Sequence, residues 1–231
     1  MRRLLPHLPR VCFLLVMLAG SLAITASSLG SLDDENLPAF VIEKLPVRFE
    51  ALWLGALRVH VLAAMVSLPA CLLLMTKGLQ RRLLVHRWLG RVTGVVVLSL
   101  LVPSGVVLAF EAKGGAPVTA GFLLSGGLIA WFMVRGVVAA RRHLVHAHRR
   151  ATWHVVAQMS VAVTSRAMLL GLEAAAVEPE RAYVIALWVP VVLSGLIVEA
   201  LSWAAPERNH REDRSPVAAP ALAPPFARVG R

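Results

Sequence analysis

The sequence predicts an all-α protein of the polytopic membrane class, a bundle of six transmembrane helices. Composition is the first reason. Of 231 residues 58% are hydrophobic and 16% charged, and the mean hydropathy is +0.70, whereas a soluble domain carries about a quarter charged residues. The second reason is that six stretches each hold the roughly 20 mostly apolar residues that a helix needs to cross about 30 Å of hydrocarbon. The third is that the loops between these stretches alternate in charge. Such a composition excludes an ordinary soluble globule, and it excludes a disordered chain, which needs few apolar residues and many charges. No stretch alternates like a barrel strand. Lipid offers the backbone no hydrogen-bond partner, so apolar spans of this length are helices.

The first span covers residues 11–29. Arg2, Arg3 and Arg10 before it, and the small Ser21, Ala23 and Ala26 within it, also fit a signal peptide. An apolar run of about 19 residues is long for that purpose, so residues 1–30 read as a retained anchor. Residues 31–50 form an external loop carrying Asp33, Asp34, Glu35, Glu43 and Glu50. Residues 51–203 form a core of five further spans, at 51–75, 92–110, 119–140, 152–172 and 183–203. Residues 204–231, rich in Pro, Ala and Arg, read as a disordered cytoplasmic tail.

Orientation follows from Lys and Arg in short loops. Lys77, Arg81, Arg82, Arg87 and Arg91 lie between spans two and three, and Arg141, Arg142, Arg149 and Arg150 between spans four and five. Glu111, Glu173, Glu178 and Glu180 mark the opposite loops. Both termini are therefore expected in the cytoplasm of a bacterial cell, with the chain spanning its inner membrane. The net charge of +11 is explained by this topology, which makes the lipid bilayer the partner and leaves no case for nucleic acid. Cys12 and Cys71 show no metal or disulfide spacing and read as small buried apolar residues.

Ionisable groups inside a bilayer are costly, so each needs an account. His60 heads a stripe with Ala64, Ser67 and Cys71 on one face of the second span, which predicts an imidazole turned into the bundle. His86-Arg87-Trp88-Leu89-Gly90-Arg91 opens the third span; Gly90 and Gly94 are spaced for close helix packing, and Arg87 and Arg91 for lipid phosphates. His148 and Arg166 share one face of the fifth span, about 27 Å apart along the axis. Arg166 lies in the outer half of the membrane, where snorkelling and an internal partner (His60, Glu50 or Glu173) are both open. Arg135 and Glu199 lie near inner ends, close enough to the boundary to snorkel or to pair.

These residues resemble a bacterial membrane-protein family, domain of unknown function 2306. That family is similar in an intramembrane His, a His-Arg-x-x-Gly-Arg segment opening the next span, and a His-Arg-Arg-Trp-Met segment with Thr-x-Arg downstream. Here these are His60, then His86-Arg87-Trp88-Leu89-Gly90-Arg91, then His148-Arg149-Arg150, then Thr164-Ser165-Arg166. The Trp-Met pair is replaced by Ala151-Thr152, and Trp153 is displaced by two positions. The resemblance covers roughly residues 51–172. It implies an architecture and a residue set, and no reaction.

Three function classes fit. A b-type haem held between His86 and either His148 or His154 would make an electron carrier, since neutral imidazole suits haem iron. His60 is the one histidine in the outer half and has no histidine partner there, which argues against a two-haem version and leaves His60 a haem ligand only with an unusual second ligand. Alternatively, His60 and Arg166 line a polar cavity of a small-solute or proton transporter. The third class is a non-catalytic partner or assembly factor for another membrane protein, with the histidines near His148 lying in a basic interfacial loop. Apart from haem iron no metal is indicated, no catalytic residue is assigned, and phosphate-loop, nucleophile-elbow and zinc-protease motifs are absent.

Overall fold

A computed structural model describes residues 8–33, 37–42 and 44–204. Arg2, Arg3, Asp34, Glu35, Glu43 and the expected tail from residue 205 onward lie outside the described residues. Within them every regular element is helical, and six helices are long and apolar enough to cross a membrane. They are α1 (Leu8–Ser28), α2 (Glu50–Leu74), α3 (Leu83–Phe110), α4 (Gly115–Arg141), α5 (Val145–Ala174) and α6 (Pro179–Ala204). The large apolar side chains left exposed, such as Leu84, Val95, Leu170 and Leu201, point away from the other helices as a lipid-facing surface requires.

Several helices run beyond the apolar windows. α3 starts at Leu83 rather than residue 92, and α5 at Val145 rather than residue 152. Hydropathy senses the hydrocarbon core, whereas a helix continues through the headgroup region as long as its own hydrogen bonds close. His86, His146, His148 and His154 therefore stand on helices and not in a loop; His143 alone sits in the turn between α4 and α5.

The packing is a ring. α2 packs on α3, α3 on α4, α4 on α5 and α5 back on α2, leaving α3 and α5 opposite one another across a diagonal. α1 seals the α2–α5 side and α6 the α4–α5 side. One apolar core joins α1, α2, α3 and α5 through Met17, Leu68, Leu72, Val97, Val156 and Met159. The α3–α4 turn needs glycine: Gly114 has φ of 93°, and a Cβ there would come within 2.6 Å of Val118. Gly121 lets α4 approach α6, since a Cβ would meet Leu187 at 2.6 Å. Gly90 and Gly94 serve no such approach. Nothing lies within 4 Å of a Cβ at Gly90, and Gly94 only meets the Met133 sulfur at 3.9 Å.

α3 is not uniform. Val97–Leu101 forms a π-helical turn in which the Val102 N–H reaches the Val97 carbonyl. Pro103 follows directly and has no N–H to give, so the regular ladder is already broken at this point.

Candidate functional site

The end of the bundle that carries the arginine-rich connections brings two sequence-predicted histidines together. His86, in the first turn of α3, and His148, in the first turn of α5, lie within electrostatic range of one another. They come from the diagonal pair of the ring, whose helices do not pack as neighbours. His148 Nδ1 is 2.9 Å from the Gly136 carbonyl oxygen on α4. A carbonyl only accepts, so Nδ1 carries the proton and Nε2 of the neutral ring keeps its lone pair. His86 Nδ1 is buried without any hydrogen-bond partner.

His154 is engaged elsewhere. It is 3% exposed, stacks on Phe132 with ring centroids 4.0 Å apart, and places Nε2 2.8 Å from Glu199 Oε1 on α6. Arg150, one turn back on α5, donates to the other oxygen of the same carboxylate. Glu199 is thus held by Arg150 and His154 of α5 rather than by Arg135, whose guanidinium lies 6.0 Å from the Trp131 ring centroid. One turn deeper, Gln158 is 2% exposed and fully used. It accepts from Ser125 Oγ on α4 at 3.2 Å, and donates to the Val191 carbonyl and to Ser194 Oγ on α6, both at 3.0 Å.

At the other end, His60 docks on the irregular part of α3. Its Nδ1 is 3.1 Å from the Leu101 carbonyl and 3.2 Å from Ser104 Oγ. By the same logic Nδ1 donates and Nε2 keeps a lone pair. Gly105 makes room, since a Cβ there would lie 3.2 Å from His60 Cε1. His60 and Arg166 are within electrostatic range, but no hydrogen bond joins them. Arg166 is exposed and donates to its own Ala162 carbonyl at 3.0 Å. The internal partner allowed by the sequence is not there: this face of α5 stands clear of its neighbours, and Leu170, one turn on, is 67% exposed. Of the two cysteines Cys71 is buried as expected, whereas Cys12 lies on the exposed face of α1.

The family model described as Predicted membrane protein (DUF2306) matches residues 57–203. The chain belongs to that family. No curated protein and no solved structure matches it. The DUF2306 match runs from α2 through α6 and contains His60, His86, His148, His154, Arg166 and Glu199, so both polar ends fall inside the family's own segment, whereas α1 lies outside it. Among the described residues, no three His, Cys, Asp or Glu side chains are grouped to hold a bare metal ion. Gly136 and Gln158 are the residues that reading the sequence for a site passes over, and Glu199 is read there only as a boundary charge. A glycine in the inner turn of a span and a carboxylate near its end were the available signals, but which helix face each presents depends on the packing.

Proposed function

We propose that this DUF2306 membrane protein binds one b-type haem at the arginine-rich end of its helix ring, where His86 and His148 would hold it, and acts as a membrane electron carrier. The carrying observation is that these two imidazoles, 62 residues apart in the chain, lie within electrostatic range of one another across the α3–α5 diagonal. Helical bundles build cofactor sites from side chains on facing helices. The donor set suits the group. His148 is fixed through Nδ1 to a backbone carbonyl, the outer-shell hydrogen bond that orients a ligating histidine and leaves its other nitrogen free. His86 brings a buried nitrogen that nothing else among the described residues satisfies, and such a group calls for a partner.

Bound haem supplies reversible one-electron chemistry. The chain's own residues orient and insulate. Gly136 positions the His148 ring, and the Arg150–Glu199–His154 contacts fasten α6 against the α5 segment that carries His148. The apolar core formed by α1, α2, α3 and α5 keeps water from the middle of the bundle. His60 stays single-sided: its bonds go to α3, and among the described residues no second histidine bonds to it.

Haem stoichiometry tests the proposal. Protein purified in mild detergent from haem-replete cells, extracted and assayed as the pyridine complex, is expected to give about one haem b per chain. A colourless preparation that also fails to take up added haem contradicts it.

A further inference from the structure

We infer that the connection between α2 and α3, residues 77–91, is a binding site for the phosphate headgroups of anionic phospholipids. This rests on charge and exposure and does not depend on haem. Lys77 and Arg81 lie on a short helix, Arg82 precedes α3, and Arg87 and Arg91 follow on its first turns; all five are exposed. No acidic residue occurs from 51 to 110 or from 112 to 172. Glu199, the one acidic side chain described at this end, is already held by Arg150 and His154. Among the described residues no carboxylate therefore neutralises these five cations, and exposed Arg141, Arg142 and Arg149 increase the surplus. The sequence after residue 204 does not reverse it, since five arginines there outnumber Glu207, Glu212 and Asp213.

The apolar side chains decide what kind of anion fits. Leu83, Leu84, Val85 and Trp88 are exposed and interleaved with the arginines, Leu84 at 77% and Trp88 at 65%. A segment that offers both at once lies in the plane where acyl chains meet headgroups, with its apolar side chains in the boundary and its long cations at phosphate level. A soluble polyanion would leave that apolar surface in water. Guanidinium groups donate paired N–H bonds to phosphate oxygens, and basic clusters next to a span gain affinity with each cation placed near an anionic surface. A zwitterionic headgroup offers the same phosphate but cancels its charge.

The test is native mass spectrometry of the full-length protein in detergent, supplied with equal phosphatidylglycerol and phosphatidylcholine. Preferential retention of phosphatidylglycerol is expected, falling about tenfold or more in the variant R81Q/R82Q/R87Q/R91Q. The matching all-lysine variant should keep the preference. Equal retention of the two lipids by the wild type, or undiminished phosphatidylglycerol binding by the glutamine variant, overturns the proposal. So does a gain of phosphatidylglycerol on changing Glu207, Glu212 and Asp213 to their amides, which would mean that the tail occupies the site. Should the glutamine variant not accumulate, salt decides on the wild type: the preference should fade from about 50 to about 500 mM salt as screening grows, and its persistence overturns the proposal.

Discussion

His148 and His154 sit less than two turns apart on α5, yet their surroundings give them different work. His148 has one nitrogen tethered to Gly136 and a second histidine within reach, whereas His154 is closed in by Phe132 and Glu199. Removing Glu199 should therefore be felt as lost stability. Glu199→Ala takes the acceptor from a buried imidazole and from Arg150, and hydrogen bonds to charged groups contribute about 1.5–3 kcal/mol. Thermal unfolding in detergent should show a loss of about 2 kcal/mol, and an unchanged melting temperature would mean the contact is idle. Gln158→Leu is expected to cost about 1–3 kcal/mol by stranding the buried Ser125 hydroxyl, whereas Arg135→Gln, at an exposed side chain over Trp131, should cost little. The histidines themselves were visible in the sequence; their partners were not. Nothing in the spacing of α5 says which way α4 and α6 turn toward it, and that rotation alone decides whether Glu199 meets Arg135 or Arg150.

Among the helices, the apolar windows located all six spans but not their ends. For α3 the difference is functional, because the nine residues gained before position 92 place His86 on a helix. The π turn of α3 was signalled only by Pro103, a residue that fits a regular helix start equally well. Spacing also misled at Gly90 and Gly94, a pair built for close packing that meets nothing closer than 3.9 Å. The tight approach is made by Gly121 instead. Gly121→Leu should push α4 from α6, because even a Cβ would lie 2.6 Å from Leu187; overpacking of this kind costs about 1–3 kcal/mol. Gly90→Ala should be silent in the same unfolding assay, and a comparable loss at both positions would show that the α4–α6 contact is misplaced.

For the molecule as a whole, six candidate spans among the described residues predict that the start of α1 and the end of α6 lie on one side of the membrane, and the basic loops predict that side to be the cytoplasm. Reporter fusions before α1 and after α6 should both read cytoplasmic; opposite readings would remove one span from the bundle, and α1, outside the DUF2306 match, would be the first suspect. The ring of α2 to α5 keeps its two polar ends apart, His60 of α2 bonded to α3 at one and the His86–His148 pair at the other. The decisive measurement compares reduced-minus-oxidised absorption spectra of the wild type, His148→Ala and His154→Ala. A sharp Soret and α band in the wild type, retained in His154→Ala and lost in His148→Ala, is the expected result; bands that disappear with His154 and survive without His148, or no bands in any of the three, would contradict the assignment of His86 and His148 to the haem.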